Sequence, residues 1–151
     1  GFIVGPDSER QGALRQVVRL MNTAYSTTVP MVTVLVRKAY GFSTWLLGGR
    51  AVGADHVVAW PSGSISLAAP EIGVATLLRN EMAAGELSEE RQLELYASYR
   101  QMSQARWAAY DFRIDDVVEP GDTRPHLAAA IAMAEGKRRS NLRSRRSFDT
   151  A

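Results

Sequence analysis

The stretch Met31-Val32-Thr33-Val34-Leu35-Val36-Arg37-Lys38-Ala39-Tyr40-Gly41-Phe42-Ser43 decides the fold. Val29 to Val36 is short and rich in β-branched residues, without the polar alternation of a half-exposed strand, so it reads as a buried strand. Arg37 and Lys38 end it, Lys38 to Phe42 reads as a turn, and a short helix is expected to start near Ser43. A strand that passes its chain through a glycine turn into a helix start leaves backbone N–H groups without intrahelical partners at that point. Such amides can hold negative charge with no help from side chains.

Upstream, Leu14, Val17, Val18, Met21 and Tyr25 recur at i, i+3, i+4, i+7 and i+11, which predicts an amphipathic helix over Ser8 to Tyr25 capped by Asp7 or Ser8. Phe2-Ile3-Val4 reads as strand interior, and because residue 1 is glycine the chain is expected to begin at a cut edge. Downstream, Val52 to Trp60 and Ser64 to Leu67 read as strands joined by the Pro61-Ser62-Gly63 turn. Pro70 suits the first turn of a helix over Glu71 to Glu81. A break at Gly85 to Ser88 precedes a long polar helix to about Arg106. Phe112 to Val118 is a short strand candidate. The Pro120-Gly121-Asp122-Thr123 turn then leads into a helix whose apolar face is Leu127, Ala130, Ile131 and Ala134. Alternating strands and helices predict an α/β domain with helices covering a largely parallel sheet.

Composition narrows the chemistry. The chain has 151 residues and no cysteine, which excludes disulfide staples, thiolate metal sites and a thiol nucleophile. A chain of this length buries roughly 68–70% of its unfolded surface, enough for a core of its own. The longest strongly apolar run, Met31 to Val36, is far short of the about 20 residues a spanning helix needs, so no membrane association and a cytoplasmic location are expected. Charge is unevenly spread. Residues 137–151 carry six basic residues against Asp149, and subtracting that surplus of five from the total of +2 leaves −3 for residues 1–136. The expected division is a folded domain over 1–136 and a basic, disordered tail over 137–151. No aromatic or RNP-type signature accompanies the tail, so it is expected to be solvated, not a nucleic-acid arm.

No side chain stands out as a catalyst. His56 falls in a strand pattern and His126 at a helix start, neither spaced for a metal with a second donor; no metal site is expected. No Gly-x-Ser-x-Gly elbow exists, and the glycines at 41, 48, 49 and 53 lack the phosphate-loop spacing and its lysine. Asp115 and Asp116 are adjacent, and strand neighbours face opposite ways, so a structural or capping role is expected there. The remaining option is chemistry carried by backbone amides, for which the strand, turn and helix of residues 31–43 are built.

Gly5, Glu9, Gly12 and Arg15, then Ala24-Tyr25, Thr28-Val29-Pro30, Arg37-Lys38-Ala39-Tyr40-Gly41, Gly53-Ala54-Asp55 and Ala59-Trp60-Pro61 resemble the C-terminal half of the carboxyltransferase (beta) subunit of biotin-dependent acyl-CoA carboxylases, the propionyl- and acetyl-CoA carboxylase beta chains. Ala108-Ala109, Asp115-Asp116-Val117-Val118, Pro120 and Asp122-Thr123-Arg124 continue the resemblance almost to the basic tail. It covers about the last third of such a subunit. It implies a crotonase-type fold of repeated ββα units. It also implies carboxyl transfer from carboxybiotin to the α carbon of an acyl-CoA, with the acyl-CoA held mainly by an N-terminal domain and the biotin by the C-terminal domain of a partner subunit. Implied partners are a biotin carboxylase or biotin carboxyl carrier subunit, acyl-CoA, and further carboxyltransferase subunits in a homo- or hetero-oligomer. Biotin would arrive on the partner protein. The amides of Phe42 and Ser43 would form the biotin oxyanion hole, with Tyr40, Gly41, Trp45, Ala69, Ile72 and Gly73 lining the biotin site.

The resemblance also has departures. The family's glycine and alanine after the RKAYG turn are Phe42 and Ser43 here. Its Met-Gly-Ala-x-Gly-Ala turn reads Ala68-Ala69-Pro70-Glu71-Ile72-Gly73, and its Pro-Gly-x-x-Gln-Glu reads Val4-Gly5-Pro6-Asp7-Ser8-Glu9. If the backbone at residue 42 needs positive φ, phenylalanine strains it. These departures leave open a catalytically degenerate crotonase-fold subunit that keeps an assembly role in a carboxylase complex. A different crotonase-type reaction on CoA thioesters, such as decarboxylation, also stays open.

Overall fold

Buried β-branched residues and short glycine turns give this chain two small parallel sheets joined by helices. The computed structural model describes residues 2–3, 5–84 and 88–136; the basic tail and residues 85–87 of the expected break lie outside them. In chain order the elements are α1 (Pro6–Arg10), α2 (Ala13–Ser26), β1 (Val32–Leu35), β2 (Lys38–Tyr40), α3 (Ser43–Leu46), β3 (His56–Ala59), β4 (Ser64–Ser66), α4 (Pro70–Leu77), α5 (Arg79–Ala84), α6 (Glu89–Met102), α7 (Ala105–Tyr110), β5 (Asp116–Val117) and α8 (Thr123–Ala134). One sheet has the order β1-β3-β5 and the other is the pair β2-β4, with every named pairing parallel. Thus β1-β2-α3 and β3-β4-α4 are two successive ββα units, the first strand of each joining one sheet and the second strand the other.

The chain crosses between sheets twice, and the two crossings are bonded to each other. Trp60 N–H donates to the Leu35 carbonyl at 3.0 Å, and Ser64 N–H donates to that of Arg37. Between them the Ser62 hydroxyl donates to the Val36 carbonyl at 2.9 Å. The starts of β1 and β3 are likewise aligned by Asp55. Its N–H donates to the Met31 carbonyl and its carboxylate accepts the Met31 N–H, both within 2.9 Å. Ala39, Val57, Ala59, Ile65, Ala105, Ala108 and Ile114 form the main core between the sheets and α7. A second cluster packs Val17, Met21 and Ala24 of α2 on Leu46 and Val52, with Phe2 and Met31 at its edge. Ala39 and Ala59, from the RKAYG and AWP segments, are buried, so these segments serve the scaffold.

Several local expectations change. The helix over Ser8 to Tyr25 is broken at Gly12, whose φ of 83° the helix cannot hold; Leu14 and Tyr25 are exposed, and Ala24 takes the buried position. Phe2 and Ile3 lie in no strand. The RKAYG segment is not all turn: residues 38–40 pair with 64–66 as a strand. The strand expected over Val29 to Val36 is Val32–Leu35. The one expected over Val52 to Trp60 is only His56–Ala59, because Arg50–Val52 is a helical turn closed by Gly53 at φ 87°. The expected Glu71–Glu81 helix is divided into α4 and α5, and the polar helix to Arg106 breaks at Ser103-Gln104 into α6 and α7. Phe112 has a φ of 56°, which no strand holds, so pairing begins only at Asp116.

Candidate functional site

Parallel pairing of β2 with β4 aligns Tyr40 with Ser66, so both strands end side by side and each hands its chain to a helix start. In parallel sheets, ligand sites lie outside such carboxyl ends. Gly41 fixes the first turn. Its φ is 66°, its N–H donates to the Ser66 carbonyl at 3.0 Å, and a Cβ there would stand 3.3 Å from the Leu67 carbonyl oxygen. Both features favour glycine. Phe42 follows at φ −58° and ψ −31°, ordinary right-handed backbone, so phenylalanine is unstrained. The departure from the family's glycine therefore does not deform the turn.

Ser43 is 5% exposed, and its hydroxyl donates to the Tyr40 carbonyl at 2.8 Å, closing the turn. The N–H groups of Thr44, Trp45 and Leu46 are all bonded to carbonyls of residues 41 and 42. Those of Phe42 and Ser43 have no acceptor among the described residues. They are the orphan donors of a helix start. Beside them opens a cleft of about 330 Å³, lined by Tyr40, Gly41, Phe42, Ser43, Ala69 and Ile72 together with Phe2, Leu67 and Ala68. The Phe42 ring does not close it. That side chain is 59% exposed and packs edge-on against Trp45, ring centroids 5.4 Å apart.

Six of the eight sequence-derived site residues thus surround one cleft. Trp45 instead lines a neighbouring cavity of about 380 Å³, shared with Gly41, Thr44, Arg50 and Phe112, and it is 45% exposed. Gly73 does not line the cleft. A Cβ there would fall 2.4 to 2.6 Å from ring atoms of Tyr99, so this glycine lets α6 pack on α4. Tyr99 also donates from its hydroxyl to the Ala68 carbonyl at 3.3 Å and so braces the cleft wall. Sequence reading missed Tyr99, Phe2 and Leu67. A tyrosine in a polar helix with no clear apolar stripe carries no signal of its partner.

The two histidines also meet. His56 on β3 and His126 on α8 stand with their Nε2 atoms 2.8 Å apart, a pairing that their spacing in the sequence does not signal. The structural reading of Asp115 holds: its carboxylate accepts the Val57 N–H at 2.8 Å and the Arg50 guanidinium, and lies 3.5 Å from His56 Nδ1. Among the described residues no group of three or more His, Asp or Glu side chains could hold a metal. Nor is any helix there long and apolar enough to cross a membrane.

Comparison with known proteins identifies the relatives of this chain. The family model described as the carboxyl transferase domain matches residues 1–148. The chain is 38% identical over 141 residues to the propionyl-CoA carboxylase carboxyltransferase subunit of Haloferax mediterranei, covering 93% of this chain and 27% of that protein. It is 33% identical over 141 residues to the methylmalonyl-CoA carboxyltransferase 12S subunit of Propionibacterium freudenreichii subsp. shermanii, again 93% of this chain and 27% of the relative. The chain therefore spans about a quarter of the length of these curated relatives. A crystal structure of the transcarboxylase 12S hexamer, with methylmalonyl-coenzyme A and methylmalonic acid bound, superposes over 100% of this chain and 28% of its own. Its TM-score is 0.86 at 32% identity. The β subunit of geranyl-CoA carboxylase from P. aeruginosa shares the fold, with a TM-score of 0.77 at 23% identity over 100% of this chain and 29% of its own. The ββα repeat of the present chain is that of these crotonase-type proteins.

Proposed function

Because this chain belongs to the carboxyl transferase domain family, we propose that it forms the biotin-side part of an acyl-CoA carboxylase carboxyltransferase, residues 1–136 being the folded domain. The observation that carries the reading is the pair of unpartnered amides, Phe42 and Ser43, at the mouth of the 330 Å³ cleft. A volume near 300 Å³ is the lower end of the range for small-molecule sites, and an oxyanion is a ligand that two adjacent N–H donors suit. The residues fit a biotin ring: Tyr40, Gly41, Ala69 and Ile72 would hold its faces and the amides of Phe42 and Ser43 its oxygen. Carboxybiotin carried on a partner protein would supply the carboxyl group and, once that has left, the base that takes the α-proton of the acyl-CoA.

The chain's own contribution is electrostatic. The two amides are fixed by the Gly41 turn and the Ser43 hydroxyl before any ligand arrives, so they stabilise negative charge without reorganisation. Apolar side chains, Phe2, Leu67 and Ile72, line the same cleft. An ordinary φ at Phe42 and a cleft its ring leaves open favour a working site over a degenerate assembly subunit. Acyl-CoA binding, assembly with further carboxyltransferase subunits and a cytoplasmic location belong to the same proposal.

The test is carboxyl transfer from carboxybiotin to a panel of acyl-CoAs by the native subunit and by Phe42→Pro. Proline accepts the φ of residue 42 and removes its N–H together with the ring, and Phe42→Ala, which removes the ring and keeps the N–H, is the control and should keep turnover. The expected result is turnover in the wild type and a deep loss of kcat in the proline variant. Turnover unaffected by the proline would remove these amides from the mechanism. An inactive wild type that still co-assembles with an active homologue would favour the assembly reading.

A further inference from the structure

Beyond Tyr40 and Ala69 the biotin-side cleft continues into a second, broader one of about 720 Å³, to which the same two residues contribute. Its charged lining consists of Lys38 on β2, Arg100 on α6 and Arg106 on α7, against the single carboxylate of Glu71 on α4. Arg100 lies 3.8 Å from Glu71, both well exposed. Among the described residues, Lys38 and Arg106 have no carboxylate within 4 Å. A basic chain would show such clefts everywhere, but residues 1–136 carry a net charge of −3. The positive field here is a local departure, placed beside the candidate cleft.

We propose that this cleft docks an acidic surface of the protein that carries biotin. The proposal rests on the carboxyltransferase reading and adds the chemistry of the partner. Three exposed cations stand on three separate elements around an open cleft of about 720 Å³, a spread that suits a surface more than one small anion. They match carboxylates spread over a protein face. A carrier whose prosthetic group enters the cleft at Tyr40 and Ala69 must rest on the surface immediately outside, which is where these cations stand. Solvent-exposed pairs of this kind act chiefly on association rate, and the effect is screened by salt as the Debye length falls from about 30 Å at 0.01 M to about 8 Å at 0.15 M.

The experiment compares a biotinylated carrier domain with free biotin as substrates of the native subunit and of Lys38→Glu/Arg106→Glu, with carrier binding measured separately by surface plasmon resonance. The expected result at low ionic strength is a loss of about tenfold or more in kcat/KM and in association rate for the carrier, with the free-biotin rate unchanged. The wild-type advantage should shrink as salt is raised. Equal loss with free biotin, or carrier binding to the variant as fast as to the wild type, overturns the docking assignment. Saturable binding of coenzyme A alone, abolished by the same variant, would assign the cleft to a small anion and also overturn it. A wild type that turns over neither substrate refutes the carboxyltransferase reading, and the binding measurement still decides the docking.

Discussion

Two polar regions of this molecule differ in what they do with their hydrogen bonds. At the Asp115 cluster every group is used by the fold: the carboxylate takes the Val57 N–H and the Arg50 guanidinium, while His56 and His126 face each other at 2.8 Å. At the Phe42 turn the fold makes the surrounding bonds, Gly41 to Ser66 and Ser43 to Tyr40, and leaves two N–H groups over. The contrast separates polarity that the fold uses from polarity that it leaves over, which on the proposed reading serves a ligand. Changes at the first region should alter stability and spare turnover, and removing an unpartnered N–H of the second should do the reverse, while changes to the Gly41 and Ser43 braces should touch stability as well.

The largest expected effect is on Phe42→Pro, with kcat reduced about 10²–10³-fold, the usual cost of one lost oxyanion donor, and an unchanged urea midpoint. Comparable unfolding curves with wild-type kcat would break the contrast at its functional side. Asp115→Ala should lower stability by about 1–3 kcal/mol, since it leaves the Val57 N–H and the Arg50 cation without their acceptor, and kcat of the folded fraction should hold. Gly73→Ala should cost about 1–3 kcal/mol through collision with the Tyr99 ring; combining it with Tyr99→Leu should restore part of that loss. Gly41→Ala should cost about 1–2 kcal/mol for left-handed backbone and also lower kcat, because this glycine aims the amides. The smallest effect is Ser43→Ala, about 0.5–1.5 kcal/mol for one hydrogen bond, with the amide and most turnover kept. A loss of kcat deeper than that of Phe42→Pro would show the hydroxyl to be more than a brace.

The α/β class, the parallel pairing and the helix starts at Ser43 and Pro70 were legible because each rests on local signals: an apolar run, a glycine, a proline at the first helical position. What was not legible depended on contacts distant in sequence. Residues 38–40 read as turn because a three-residue strand has too few positions to show a period, and only pairing with 64–66 defines it. Gly73 was read as ligand-facing from its place in a motif, whereas its neighbour Tyr99 is 26 residues away. The His56–His126 pair spans 70 residues and leaves no local trace. The grouping of Phe42, Ser43, Tyr40, Gly41, Ala69 and Ile72 was reached through family resemblance; the structure adds the pairing of β2 with β4 that brings their two turns together.

The bonded crossings between the sheets bear on how this chain folds. Residues 35–37 and 60–64 carry the chain from one sheet to the other and are zipped together, so pairing β1 with β3 positions β2 against β4 within a few residues. Once one long loop is closed, the second pairing carries little added closure entropy. Both sheets then form as one cooperative step, and the cleft is completed in that step. Native-state hydrogen exchange should find the amides of Val58 in the larger sheet and Gly41, which donates to Ser66 across the smaller one, opening with the same free energy, with no intermediate that keeps the larger sheet and lacks the smaller.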